Sequence, residues 1–405
     1  MKKLLLASMV LLGLVTLTAC RQQASQGVTD TTVRVGNAAA TSGPLAFVGV
    51  PFKTAMEAYF TMVNEAGGVN GRMIEYIHYD DEFNAANGLS LTQRLVEDDQ
   101  IFALVGHFGT PTVGATYEYL NELGVPRIYY ATGISALFEP EAEGGARASF
   151  PVQPIYDAEG EVMVARAVGN FNAERIGVIY ANDDAGRGIL NGIQLRASEL
   201  GIPLTEVQID PAADDLSTAA QTILAANVDV VLVAANQVPA ATSIRALSLA
   251  GSTSPVITSY VNAELSWLAG VQESLANFDI YASSWNNIFE ADGVTFTDSY
   301  AQYVEEISRL NPEYAGNVYA FSGWIAAAAF VEGLRRVGDD PLTWENYIDA
   351  MESAPVQLPM GVIVDYANSR RVGTQAMGFL KAAVIDGAAQ FVIENSIQTI
   401  DEILE

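Results

Sequence analysis

The sequence predicts an α/β fold made of two doubly wound lobes. Three observations carry that prediction. Short strand-like runs alternate with helical patterns, the runs are apolar throughout rather than on one face, and the rhythm occurs once before about residue 150 and again after it. Strands apolar on both faces suit parallel sheets covered by helices on either side. The alternation implies βαβ units. A chain of 405 residues has room for two or three domains of about 150 residues each. No internal repeat is strong enough to mark a duplication.

The elements follow in order. In the first half, strands are expected at 33–38, 73–79, 101–106 and 125–130, with helices at 50–65, 88–98 and 112–123 between them. In the second half, strands are expected at 175–181, 228–235 and 255–259, with helices at 188–200, 216–226 and 239–249. Gly67-Gly68 and Gly201 stand just past helical patterns, where a left-handed residue stops a helix. Longer helices are expected at 293–309 and 319–337, and a shorter one at 343–352.

Composition narrows the function. There are 20 Lys and Arg against 48 Asp and Glu, a formal charge of −28. That balance argues against nucleic acid, whose phosphates need a basic surface, and against a polybasic membrane patch. Half of the residues are apolar and periodic, which excludes a disordered chain. One Cys and two His exclude a disulfide framework and leave little for a zinc site.

The N-terminus speaks to compartment. Lys2 and Lys3 precede a 16-residue, almost purely apolar run over 4–19. The run is shorter than the roughly 20 residues of a spanning helix and suits the h-region of a signal peptide. It ends Leu17-Thr18-Ala19-Cys20, which resembles the lipobox of bacterial lipoproteins, where the Cys carries a diacylglycerol. Residues 20–31 are then expected as a flexible tether. Cleavage before Cys20 removes Lys2 and Lys3 and no acid, leaving Lys53 and Lys381 as the only lysines. The expectation is an exported chain, held on the cell membrane through a lipid on Cys20 and facing the periplasm or the cell exterior. Export takes ATP and NAD out of reach, and no cofactor is expected.

Enzyme motifs are mostly missing. Gly186-Arg187-Gly188 opens a helix after a strand, but the third Gly, Gly192, falls one residue late for a dinucleotide fingerprint. Asp183-Asp184 would also repel a pyrophosphate. There is no GxSxG, GxxxxGK[ST], HExxH or CxxC. His107 is read as a structural histidine and Asp80-Asp81 as a solvated loop edge; no catalysis is expected.

A set of ordered motifs runs through the mature chain. Ala40-Thr41-Ser42-Gly43-Pro44-Leu45-Ala46 follows the first strand, and Asn64-Glu65-Ala66-Gly67-Gly68-Val69-Asn70-Gly71 follows the first helix. Tyr79-Asp80-Asp81, Val105-Gly106-His107, residues 121–125, Ala131-Thr132-Gly133 and Pro359-Met360-Gly361 come after them. In this order, over roughly 33–380, they resemble the leucine/isoleucine/valine-binding family of ABC transporter solute-binding proteins.

The resemblance implies a type I solute-binding fold: two Rossmann-like lobes, three crossover strands and a ligand in the cleft. Crossovers are expected near 149–152, 281–287 and 362–366. The N-terminal lobe would combine 32–150 with 285–363, and the C-terminal lobe 151–283 with 365–405. Such a cleft closes by hinge motion, and the closed form delivers its ligand to a membrane permease. The ligand implied is an amino acid, branched-chain above all, or a related small carboxylate. Aromatic or other organic acids are the alternative, as is a sensory protein that presents its ligand without transport.

Site residues are carried over by matched position. Phe108, Gly109 and Thr110 would receive the ligand's carboxylate at the start of a helix, where backbone donors and the helix dipole favour an anion. Ala131 and Gly133 would add backbone contacts from the next loop, Tyr319 would form an aromatic wall, and Val48 is a further ligand-binding position. In the second lobe the matched positions are Ala185, Asn236 and Tyr260. These depart from the amino-acid binders: Ala185 and Asn236 replace aromatics, and no acid stands at 258–260 to pair an ammonium. An ammonium buried without a carboxylate is costly. Either another group supplies that charge or the ligand is not an α-amino acid.

Overall fold

A computed structural model describes residues 25–289 and 295–405. The signal segment and Cys20 lie outside the described residues, as does Gly293 at the start of one expected helix.

The first sheet is five-stranded, parallel throughout, and built early in the chain. Its strands are β1 (Thr32–Ala39), β2 (Met73–Asp80), β3 (Ala103–Phe108), β4 (Arg127–Ala131) and β5 (Ser149–Phe150), in the order β2-β1-β3-β4-β5. Helices α1 (Ala46–Glu65), α2 (Ala85–Glu97) and α3 (Thr110–Leu123) connect them. The strands sit two residues later than expected at β3 and β4, because Ile101-Phe102 and Val125-Pro126 are buried approach segments rather than paired strand.

The second sheet opens with α4 (Tyr156–Phe171), then alternates β6 (Ile176–Ala181), α5 (Asp184–Leu200), β7 (Leu204–Ile209), α6 (Ser217–Ala225), β8 (Val230–Ala234), α7 (Val238–Leu249) and β9 (Val256–Thr258). A short α8 (Leu265–Ala269) leads to β10 (Ile280–Ser284). The chain then returns to the first sheet with α9 (Asp298–Leu310), α10 (Val318–Val337) and α11 (Trp344–Glu352). The small pair β11 (Val356–Gln357) and β12 (Ile363–Val364) precedes β13 (Met377–Ile385), β14 (Ala388–Gln398) and α12 (Ile400–Leu404). The order of the seven-stranded sheet is β14-β13-β10-β9-β8-β6-β7, with β13 antiparallel to both of its neighbours. Two packed α/β layers are what the sequence pattern predicts.

Among the elements that escape the hydrophobic pattern are helix α4, strand β7 and the hairpin β13–β14. Helix α4 carries three acids and two glycines among its apolar positions, yet most of it is buried. Gly160 explains the close packing on α5. A Cβ on Gly160 would sit 2.0 Å from the Ile189 carbonyl oxygen, and one on Gly192 would sit 1.8 Å from that of Asp157. Gly188 and Gly192 thus face α4 while Gly186 lies against the end of β6, and Asp183 caps α5 through the Gly186 N–H at 2.8 Å. The hairpin β13–β14 turns on Asp386-Gly387, both left-handed (φ 51° and 83°), the backbone a two-residue hairpin turn needs.

Residues 25–31, inside the stretch expected as a tether, are held against the fold. The Ser25 N–H donates to the Leu342 carbonyl, and Gln26 donates to the Val96 and Ile101 carbonyls. No helix among the described residues is long and apolar enough to cross a membrane.

Candidate functional site

Residues at the carboxyl ends of strands from both sheets close around one cavity of about 80 Å³. This is where parallel α/β sheets place their ligands. From the first sheet come Phe108 at the end of β3, and Tyr129 and Ala131 on β4; α1 adds Val48 and Phe52, and α10 adds Tyr319 and Ser322. From the other side come Gln153 and Tyr156 at the entry to α4, Tyr260 and Val261 just past β9, and Trp285 just past β10. A depression of about 290 Å³ lies elsewhere, but only the α6 and α7 region of the second sheet lines it.

The wall is set by close backbone approach. Gly323 on α10 packs on α1, where a Cβ would sit 2.0 Å from the Phe52 carbonyl oxygen, so Ser322 and Phe52 meet at the same wall. The paired strands β3 and β4 depart from regular geometry together. Gly106 (φ 66°) and Tyr129 (φ 62°) are both left-handed, between the regular pairs Val105–Ile128 and His107–Tyr130. For tyrosine that backbone costs of order 1–3 kcal/mol, the kind of strain that clusters at ligand sites.

Polar atoms of the wall are largely joined to one another. The Tyr129 hydroxyl donates to Gln153 Oε1 (2.8 Å), Gln153 Nε2 donates to the Tyr260 hydroxyl (2.9 Å), and that hydroxyl donates to the Pro154 carbonyl (2.9 Å). Across the rim, Gln237 Nε2 donates to the Tyr319 hydroxyl (2.6 Å) and to the Val261 carbonyl (2.8 Å). Gln237 holds a left-handed backbone (φ 56°) to do so. Burial pushes the hydroxyls of Tyr129, Tyr156, Tyr260 and Tyr319 upward, so all four remain neutral O–H groups.

A polar corner adjoins the cavity. Thr110 Oγ1 and Thr132 Oγ1 lie 2.9 Å apart, and the Tyr156 hydroxyl meets both of them and Asn236 Nδ2 (3.1 Å). Asn236 Oδ1 is buried with no partner. Gly109 caps α3 with φ 87°, and a Cβ there would meet the Phe83 ring at 2.8 Å. Helix α3 starts at Thr110, one turn-half earlier than expected, so Pro111 falls in its first turn, where it has no N–H to lose.

Two carboxylates lie behind the wall. Glu159, fully buried on α4, accepts the Tyr260 N–H (2.6 Å) and the Ser259 hydroxyl (2.9 Å) and also meets Ser283. Burial without a cation pushes its carboxyl up to about 7. Glu264 caps α8 through the Trp267 N–H (2.9 Å).

The periplasmic binding protein family profile matches residues 32–388. The chain belongs to that family. Its members are binding proteins and not enzymes. This periplasmic binding protein is 28% identical over 141 residues to an amino acid binding protein of Pseudomonas aeruginosa, covering 35% of this chain and 36% of that one. It is 21% identical over 360 residues to Leu/Ile/Val-binding protein homolog 7 of Brucella abortus, covering 86% and 88%. The first of these matches thus spans little more than a third of the curated relative's length. Among solved structures, a fatty acid ABC transporter substrate-binding protein from Thermomonospora curvata superposes with TM-score 0.78 at 20% identity, covering 94% of this chain and 96% of that chain. A branched chain amino acid ABC transporter from Thermus thermophilus with bound valine gives 0.76 at 18%, covering 92% and 97%. At these identities the superpositions establish the fold, a type I periplasmic binding protein architecture.

Within this periplasmic binding protein, the structure brings Val48, Phe108, Ala131, Tyr260 and Tyr319 to one cavity. Thr110 and Asn236 stand at the polar corner. Gly133 acts through its lack of a side chain: a Cβ would meet the Pro154 carbonyl oxygen at 2.6 Å, and its own carbonyl accepts the Tyr156 N–H at 2.7 Å. A hydroxyl residue has no room there. Ala185 is buried in the first turn of α5 and is not among the cavity's lining residues. His107 is buried in β3 and bonded to Thr116 (2.7 Å), and burial brings its ring down to about 3, so it stays neutral. Asp81 is not a solvated edge; it is buried and accepts the Thr112 hydroxyl (2.5 Å). Phe52, Tyr129, Gln153, Tyr156, Val261, Trp285 and Ser322 line the cavity without being expected from the sequence. Trp285 lies within an expected crossover and Gln153 and Tyr156 just past another, and that position is the available signal.

Proposed function

We propose that the chain is the substrate-binding component of an ABC importer, capturing a small carboxylate in this cavity by hinge closure and passing it to a membrane permease. The observation that carries the reading is the cavity itself, whose walls come from both sheets. Two lobes, 32–150 with 285–363 and 151–283 with 365–405, would move as bodies about the segments between them. The Gln237–Tyr319 hydrogen bond would hold them shut. Thr110, with the α3 N-terminus, would take the carboxylate, and the aromatic wall the tail. We further propose export and a lipid anchor on Cys20.

Branched-chain amino acids fit this outline, and so do aromatic and other organic acids; the two classes differ in the ammonium. The names of the relatives span both, from Leu/Ile/Val binding to fatty acid transport. A thermal-shift screen against leucine, isoleucine, valine and a panel of aromatic and branched organic acids tests the reading. A ligand at 100 times its Kd adds about 2.7 kcal/mol of stability and raises the midpoint. A panel that leaves the midpoint unmoved contradicts it.

A further inference from the structure

We propose that the cavity takes an organic acid with an apolar tail and no ammonium group. The inference rests on the reading of this cavity as the ligand site. Among the described residues, the twelve that line it include no Asp, Glu, Lys, Arg or His. An α-amino acid brings a carboxylate and an ammonium, and each must be met once water has left. The carboxylate has hydroxyl donors at the Thr110, Thr132 and Tyr156 corner and a helix N-terminus beside it. Asn236 stands beside this corner, with its Nδ2 on the Tyr156 hydroxyl at 3.1 Å.

Among the described residues that line the cavity, no carboxylate meets the ammonium. Glu159 reaches the back of the Tyr260 backbone, and both of its oxygens are taken by the Tyr260 N–H and the Ser259 hydroxyl. Glu264 does not line the cavity, and its Oε2 takes both the Trp267 N–H of the α8 cap and the Ser266 hydroxyl. Asp157 takes the Ser135 hydroxyl. Gln153 Oε1, the side-chain amide oxygen of the wall, receives the Tyr129 hydroxyl. Aromatic faces can hold a cation, but only when they are turned toward it. Here they are turned on one another: Phe52 meets Phe108 at 5.7 Å and 60° and Tyr129 at 5.8 Å and 42°, while Tyr129 meets Trp285 at 6.2 Å and 46°. Such a wall suits a branched or aromatic hydrocarbon tail.

Matched probes that differ only in the amino group test this. Leucine is compared with 4-methylpentanoate, and phenylalanine with 3-phenylpropanoate, by isothermal titration of the full mature chain at neutral pH, with choline as the cation control. The expected result is that the acid of at least one pair binds, and that its amino acid partner binds at least about 100-fold more weakly, as befits an ammonium buried without its partner. An amino acid that binds as tightly as its acid, or choline binding in place of the acids, overturns the inference and leaves the cavity reading standing. If no probe binds, or if the acid binds equally well to a Thr110→Val, Tyr156→Phe variant of unchanged melting temperature, the cavity reading fails together with the inference.

Discussion

Thr110 and Glu159 act on the same cavity in different ways. Thr110 offers a hydroxyl at the mouth of α3, shared with Thr132. Thr110→Val keeps the shape and removes one donor to a charged group, so acid affinity should fall about tenfold to 100-fold, read by titration. Glu159 ties α4 to two further segments, at Ser259-Tyr260 and at Ser283, and is not among the residues that line the cavity. Its folded carboxyl titrates near 7, against an ordinary value of 4.5. Between those values the folded chain keeps a proton that the unfolded chain has lost. Stability from this group is therefore full below about pH 4.5 and is lost as pH rises through 7. Glu159→Gln removes that dependence. The variant should gain on the wild type between pH 5 and pH 8 by on the order of 3 kcal/mol, measured by urea unfolding at each pH. An equal difference at both pH values would show that Glu159 does not titrate in this range. At this scale the sequence was only partly legible. Phe108, Ala131 and Tyr319 could be placed by motif, whereas Tyr129 and Glu159 matter through a backbone twist and a buried contact that no spacing reveals.

Among the elements, glycine decides how closely helices approach. Gly323 lets α10 rest on the α1 backbone and sets the Phe52 and Ser322 wall, while Gly160 and Gly192 join α4 to α5. Gly323→Ala should destabilise the chain by about 1–3 kcal/mol through overpacking and weaken ligand capture as well, whereas Gly192→Ala should destabilise it with less effect on capture. Unfolding curves paired with titrations separate the two effects. Most parallel strands were legible because continuous apolar runs such as Val230–Ala234 are buried on both faces, whereas β7, largely half-exposed and mixed in polarity, was not. Helix α4 was not, because Asp157, Glu159 and Glu161 break its apolar stripe, and Glu159 is buried by hydrogen bonding rather than by hydrophobicity. The hairpin β13–β14 carried a readable Asp-Gly signal, but its outer strand is half exposed and mixed in polarity.

For the whole molecule, the two sheets and a cavity between them account for the proposed function, and the −28 charge is a property of solvation. Surface charge is screened within about 8 Å at physiological salt, so it does not bar an anionic ligand from an uncharged interior. If the cleft opens and closes, the Gln237–Tyr319 bond belongs to the closed form alone. Tyr319→Phe should then shift the free chain toward an open state, seen as a larger radius of gyration in small-angle scattering that contracts when acid is added. The most direct test of the central claim is a crystal structure of the chain grown with 3-phenylpropanoate. The account predicts one molecule between the sheets, its ring among Phe52, Tyr129 and Trp285 and its carboxylate at Thr110 and Tyr156. An empty cavity with the acid bound at another site would contradict it.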